Sequence, residues 1–214
     1  MKLYNYFRSS ASYRVRIALN LKGLTYEYLP VHLTRDGGQQ FAQEYRGIAP
    51  EALVPVLVDG EATLHQSLAI LEYLEETRPT PALLPADAAG RAAVRALALD
   101  IACDVAPLGN LRVLKYLAAN CGQSKEGTDA WGRHWVGAGF DALETRLAQS
   151  PTRGKFCHGD APTMADVTLV PQVFNARRFG LDMNRYPTIA AIDAQCAQLA
   201  AFADAAPAKQ PDAE

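Results

Sequence analysis

The sequence predicts an α/β domain followed by an all-helical one, and three observations carry that reading. Up to residue 77, short runs rich in branched and aromatic residues alternate with stretches of helical spacing. An Asp-Gly pair between two apolar runs, Asp59-Gly60, marks a hairpin. From residue 87 onward strand signal gives way to alanine and leucine at helical intervals. The 214 residues, 49% hydrophobic and 21% charged, are enough for one large or two small domains with a substantial core. A formal net charge of −2 leaves no basic excess to neutralise phosphates, so nucleic acid is not expected as a partner. No run approaches the roughly 18 apolar residues of a membrane span, and no basic segment leads into an apolar one at the start, so neither a membrane nor secretion is expected. Cys103, Cys121, Cys157 and Cys196 are scattered without a CxxC pair, the usage of reduced thiols in a cytoplasmic protein. His32, His65, His134 and His158 show no ligand spacing and no Gly-rich phosphate loop follows a strand, so neither a metal nor a nucleotide cofactor is expected.

Taken in order, residues 2–6 read as a strand. Val15, Ala18 and Leu19 then stand at i, i+3 and i+4, and Lys22-Gly23 supplies a stop, so a helix of about three turns starts near Ser10 or Ser12. Arg14 and Arg16 flank its apolar face as solvated or structural charges. Residues 26–33 form a second strand, and 34–49 a polar loop with one helical turn. The hairpin covers 53–64; Pro55 lacks a ladder donor, so it belongs at a strand start or edge and leaves the main chain of Val54 to pair with something else, such as a peptide-like ligand. Ser67 caps a helix over 67–77, and Arg78-Pro79-Thr80-Pro81 ends the domain. This order of elements matches a thioredoxin-like domain over residues 1–81, with a helical domain over 82–214. The helical part begins with one long helix over 88–120 bent at Pro107, then one over 128–149 with Trp131, Trp135 and Phe140 as packing or interface residues. A helix capped by Thr163 and Asp166 runs to Phe179 with Pro171 inside it, a last helix covers 187–202, and residues 205–214 form a loose tail.

The chemistry concentrates in the turn Arg8-Ser9-Ser10-Ala11-Ser12. Unpaired N–H groups and the dipole of a helix N-terminus favour an anion, and a thiolate is one. A thiol with a pKa of roughly 8.5 needs about 2.7 kcal/mol of preferential stabilisation to fall by ~2 units. A serine hydroxyl, the helix end and Arg8 together supply an amount of that order, although Ser9, Ser10 or Ser12 also reads as an ordinary N-cap.

Several stretches together resemble one family: residues 6–19, Asp36-Gly37-Gly38-Gln39-Gln40-Phe41, Val54-Pro55, residues 65–81 from His65-Gln66-Ser67 onward, Pro107-Leu108-Gly109-Asn110-Leu111, and Ala176-Arg177-Arg178-Phe179. The chain resembles the zeta class of glutathione transferases over nearly its whole length. The resemblance implies the glutathione transferase fold, a homodimer, glutathione as cofactor, a cis Pro55, and a role in aromatic amino-acid catabolism. It also implies that Ser9 or Ser10 meets the glutathione sulfur in a turn that includes Ala11. Gln40, Val54, Gln66 and Ser67 then hold the tripeptide, with Asn110 at the cofactor or substrate. Two departures stand out: Ala11 occupies a position that often carries Cys, and Gly109 one that carries Gln or His.

The activity expected from these residues is glutathione-dependent cis–trans isomerisation of a small conjugated diacid. The reaction needs a nucleophile that adds reversibly, and cations for the substrate carboxylates. Arg8 is the first choice of clamp and Arg178, ahead of Arg177, the second, because a guanidinium matches a carboxylate in a two-point fork. A broader transferase or dehalogenase, and a binding protein that keeps the fold without turnover, are the competing readings.

Overall fold

A computed structural model describes residues 1–214, which divide into two compact units: Met1–Ala82 with Gln198–Glu214, and Leu83–Ala197. In the first unit β1 (Lys2–Asn5) leads through α1 (Ser10–Leu21) to β2 (Glu27–Pro30). A loop with two single 3-10 turns and α2 (Gln43–Ile48) precedes β3 (Val56–Asp59), β4 (Ala62–His65) and α3 (Ser67–Thr77). The sheet order is β2-β1-β3-β4. β1 and β2 are parallel, as a helical crossover requires, β3 runs antiparallel to β1, and β4 turns back antiparallel to β3 in a hairpin closed at Asp59-Gly60. Leu3, Leu57, Ile17, Leu19, Ile70, Leu71 and Leu74 are fully buried and form the core between the sheet and the pair α1 and α3.

Arg16 is the largest fully buried side chain. Its Nε donates to Ala205 O at 3.0 Å, Nη1 to Asn5 Oδ1 at 3.0 Å and Tyr6 O at 3.3 Å, and Nη2 to Phe7 O at 2.8 Å. Arg14, also buried, donates to Ser67 Oγ at 3.2 Å. Both arginines are therefore structural, and Ser67 is the first residue of α3 rather than its cap; the N-cap position belongs to Gln66, whose side chain makes no capping bond. Lys22, at the end of α1, is buried against Glu75 at 2.9 Å and donates to the carbonyls of Arg78 and Pro81 at 2.7 and 2.9 Å.

The segment expected as a loose tail is ordered and belongs to the first unit. The last predicted helix breaks into α8 (Pro187–Ala197) and α9 (Ala200–Ala203), and Gln198–Glu214 lies on the thioredoxin-like unit, so the helical unit ends before residue 214. Tyr13 Oη, Asn20 Nδ2 and Arg16 Nε donate to the carbonyls of Phe202, Ala201 and Ala205. Gln210 then folds its amide back onto Asp204 O and Ala206 O at 2.8 and 2.9 Å. Main-chain carbonyls, whose positions composition does not reveal, do the anchoring.

The second unit contains α4 (Ala88–Leu99), α5 (Leu111–Asn120), α6 (Lys125–Gln149), α7 (Met164–Arg178) and α8. The single helix expected over 88–120 is broken: α4 passes into a π-helical stretch, Asp100–Val105, then a 3-10 turn, Ala106–Gly109, before α5 restarts. Pro107 accounts for the break, since it has no N–H and its ring crowds the carbonyl four residues earlier, so the helix widens ahead of it. α6 begins three residues earlier than expected because Ser124 caps it, accepting from Gly127 N at 3.1 Å. The Thr163–Asp166 capping box is present, with Thr163 N donating to Asp166 Oδ2 at 2.7 Å, and the fully buried Asp166 also accepts from Cys157 N at 2.8 Å. Phe140 is fully buried against Tyr186, and Trp131 donates to Leu108 O at 2.8 Å. Glu144 of α6 accepts from Thr188 N and Ile189 N at 2.8 and 2.9 Å, satisfying the first turn of α8.

Replacing Arg16 with Met fills its volume and strands four buried acceptors, so an equilibrium urea titration is expected to show a loss of about 3–5 kcal/mol. Arg16→Lys is expected to recover little, since one ammonium cannot reach carbonyls spread over a planar fork. A loss near zero in both variants would contradict the assignment of Arg16 as the anchor.

Candidate functional site

The sheet register gathers most of the sequence-derived residues at one end of the first unit. Tyr4 pairs with Val56, Val56 with His65, and Asn5 with Pro30. The exit of β1 toward Ser9, the exit of β2 toward the 32–41 loop, the entry of β3 from Val54 and the exit of β4 toward Gln66 therefore share one edge of the sheet.

At that edge Ser9 is the N-cap of α1, with φ −68° and ψ 119°, and its Oγ accepts from Ser12 N at 3.2 Å. Ser10 is the first helical residue, and its N–H and that of Ala11 have no carbonyl a turn behind them. No acidic side chain occupies the first turn. Ser12 is buried and its Oγ accepts from Tyr6 N at 3.4 Å, which removes it from the exposed set. Arg8 is exposed, its guanidinium 6.0 Å from the ring centre of Tyr6 and 5.8 Å from that of Phe7. Those rings hold it in place while leaving its donors outward.

The loop after β2 folds around His32. The imidazole is 3% exposed; Nδ1 accepts from Arg35 N at 2.8 Å, so the ring proton sits on Nε2, facing Glu214 at 3.1 Å. Gln39 clasps the His32 backbone from both sides, Oε1 accepting its N–H and Gln39 N donating to its C=O, each at 2.8 Å. Gln40 is buried under Gly38, Nε2 donating to Leu33 O at 3.3 Å and Oε1 without a partner. Gly38 has φ +111°, and a Cβ there would stand 2.7 Å from the Gln40 amide, so this loop conformation needs glycine.

Val54–Pro55 is cis, as the resemblance implied, and Thr80–Pro81 is cis as well. Val54 lies just outside the ladder that begins at Val56. Gln66 has φ +65° and ψ 119°, a sparsely populated conformation for a residue with a Cβ, held directly ahead of the α3 N-terminus. His65 Nδ1 lies 2.8 Å from Glu51 beside it.

In the helical unit Asn110 caps α5, Oδ1 accepting from Arg112 N at 3.1 Å. Arg177 is paired with Asp193 at 2.7 Å and belongs to the α7–α8 contact. Arg178 lies over the Phe179 ring, 4.5 Å from its centre. Phe179 is 2% exposed and is met on two sides by glycines: a Cβ on Gly132 would come within 2.6 Å of the ring and one on Gly109 within 3.3 Å. The Gly109 departure thus has a packing reason, because any side chain there presses on Phe179. Burial pushes the thiols of Cys157 and Cys196 up, which disfavours their thiolate forms.

Sequence reasoning missed His32, Asp212 and the Gln66 backbone. His32 and Asp212 left no spacing signal because their partners are main-chain N–H groups, of Arg35 and Phe7, or side chains far off in sequence, Glu214 and Tyr28; only the Gly-Gly of the loop hinted at its geometry.

Comparison with known proteins bears on this arrangement. Residues 3–82 match the family model for the glutathione S-transferase N-terminal domain and residues 136–205 that for the C-terminal domain. A probable maleylacetoacetate isomerase of Vibrio cholerae is 54% identical over 211 residues, covering 99% of this chain and 97% of that protein. A maleylpyruvate isomerase of a Ralstonia species is 53% identical over 212 residues, with 99% of each covered. The chain belongs to the glutathione S-transferase family. Among solved structures, a holo maleylpyruvate isomerase described as a bacterial zeta-class glutathione S-transferase superimposes with a TM-score of 0.97 at 52% identity, covering 100% of both chains. A maleylacetoacetate isomerase of Methylobacterium extorquens, solved with malonate and glutathione bound, gives a TM-score of 0.96 at 42% identity and 100% of both.

The Phe179 seat yields a packing test. Gly132→Ala is expected to destabilise by about 1–3 kcal/mol through overpacking, a drop of roughly 2–12 °C in Tm for a chain of this size, and Gly109→Ala by less. The reverse order would contradict the two-sided seat.

Proposed function

We propose that this chain is a glutathione-dependent cis–trans isomerase converting maleylacetoacetate to fumarylacetoacetate in tyrosine and phenylalanine catabolism, acting as a cytoplasmic homodimer. The observation that carries the reading is the first turn of α1: a serine cap, two N–H groups without helical partners and no competing carboxylate. The relatives named for this reaction support it, and so does the solved neighbour holding glutathione with a small diacid.

The first unit's residues fit glutathione. Gln40 offers a buried amide oxygen without a partner, Val54 offers main-chain groups just outside the ladder, and Gln66 and Ser67 present polar groups at the α3 N-terminus for a carboxylate. Bound glutathione supplies a thiolate that adds reversibly to the cis double bond and departs after the resulting single bond has rotated, so it is not consumed. Ser9 holds a proton toward the sulfur. Its oxygen already accepts the Ser12 N–H, which polarises the O–H and makes it the better donor than Ser10. A hydrogen bond to a charged group contributes about 1.5–3 kcal/mol and the helix end roughly 0.3–1, which together reach the ~2.7 kcal/mol that a 2-unit fall in thiol pKa requires.

Arg8 is the carboxylate clamp that the first unit offers, and Arg178 and Asn110 are the polar candidates that the helical unit offers for the substrate. Arg177, the second choice of the two, is held by Asp193 at 2.7 Å. Maleylpyruvate is the second candidate substrate, since a protein named for that reaction is 53% identical; one methylene in a pocket is worth only ~1–3 kcal/mol.

Initial rates on both diacids, with and without glutathione, test the reading. A rate that requires glutathione, is faster on maleylacetoacetate and falls about 10²–10³-fold in Ser9→Ala is expected, with Ser10→Ala near the parent. Equal rates with and without glutathione would overturn it. Separately, Arg178→Ala is expected to raise the diacid KM about tenfold or more, while Arg177→Ala leaves KM unchanged.

A further inference from the structure

The turn that presents Arg8 and Ser9 is gripped on opposite sides of one residue. Phe7 C=O accepts from the buried Arg16 at 2.8 Å, and Phe7 N–H donates to Asp212 Oδ2 at 3.1 Å. The other carboxylate oxygen of Asp212 takes the hydroxyl of Tyr28 in a short contact, anchoring it to β2. Burial and that bond push the Tyr28 hydroxyl up, so the tyrosine stays a donor. Two residues further on, Glu214 meets His32 Nε2 and Arg35, and the His32 ring packs edge-on against Tyr6 at 4.8 Å. The C-terminal segment therefore touches both the turn before α1 and the loop that carries Gln40.

We propose that Asp212 is a positioning residue of the thiolate site: by fixing the Phe7 peptide from the side opposite Arg16, it sets where Ser9 and the Arg8 guanidinium stand. The inference rests on the reading of Ser9 as the thiolate's hydroxyl donor. Asp212 touches neither cofactor nor substrate; it acts through the backbone. Without Asp212 the Phe7 N–H loses its partner and the turn is held only from the Arg16 side, through Tyr6 O and Phe7 O, and a misplacement of about 1 Å at such a donor costs up to about 10²-fold in rate.

The experiment compares Asp212→Ala, Asp212→Asn and Tyr28→Phe with the parent, reading the ultraviolet thiolate band of bound glutathione against pH, kcat and KM for maleylacetoacetate, and Tm. In Asp212→Ala the thiol pKa of bound glutathione is expected to rise by about one unit and kcat to fall about 10- to 100-fold, with diacid KM little changed. Asp212→Asn is expected to restore most of the parent behaviour, because its amide oxygen still accepts the Phe7 N–H and its amide nitrogen faces the Tyr28 oxygen. Tyr28→Phe, which keeps the Phe7 bond and frees one carboxylate oxygen, is expected to give a smaller rise and a several-fold fall in kcat. If Asp212→Ala does not fold, the comparison of Tyr28→Phe with the parent decides. A folded variant with the parent thiol titration and kcat overturns the proposal. Ser9→Ala with parent kcat and thiol pKa would instead overturn the reading of Ser9, so the two failures are distinguishable.

Discussion

The buried guanidinium of Arg16 is the constraint on which the first unit depends. An arginine with 0% exposure is tolerated only because every direction of its fork finds an acceptor: Asn5, Tyr6, Phe7 and Ala205. Burial lowers its pKa, and nearby tyrosines and Asp212 counter that shift. The acceptors are consecutive residues at the end of β1 and one carbonyl of the C-terminal segment. One charge thus fixes the turn that becomes the α1 cap and holds the last residues of the chain against it.

The chemistry inherits its order from that anchor. A helix N-terminus favours an anion only if its first turn is presented and not blocked, and here Ser9 closes the cap while Ser10 and Ala11 keep outward N–H groups. The same sheet edge receives Val54, Gln40 and Gln66, because the register brings the exits of three strands and the entry of the fourth together. The helical unit follows a separate logic, with Phe179 seated between Gly109 and Gly132 and carrying Arg178 on its face. Small residues there determine where a charged one stands.

The parts of this architecture that were readable from the sequence are those with local signals. Alternating and helical spacing gave the element order, the Asp59-Gly60 turn gave the hairpin, and the run of serines before Val15 gave the capped helix. The Thr163–Asp166 box was equally plain, since both halves of the signal lie within one turn. What escaped depends on contacts distant in sequence. Arg14, Arg16 and Lys22 stand beside an apolar helix face, where charges are usually solvated; their burial goes with a hydroxyl, a carboxylate and carbonyls brought in from residues 67–81 and 205. Residues 205–214 read as a tail because they are polar and proline-containing, yet Gln210 and Asp212 spend those polar groups on the main chain and on Tyr28. Pro107 was identified as the disruptive residue, but not the widening that starts at Asp100, well ahead of it. Spacing ranked Arg178 ahead of Arg177 but could not show that Arg177 pairs with Asp193 across the α7–α8 contact.

The proposed chemistry depends on one physical effect, stabilisation of a thiolate by the capped end of α1. The most direct test is the pH titration of the ultraviolet thiolate band of glutathione bound to the unmodified protein, against free glutathione. A bound thiol titrating about 2 units below the free one, whose pKa is roughly 8.5 to 9, is the expected result. A bound thiol that titrates with the free one would contradict the account, because neither Ser9 nor the helix end would then be acting on the sulfur.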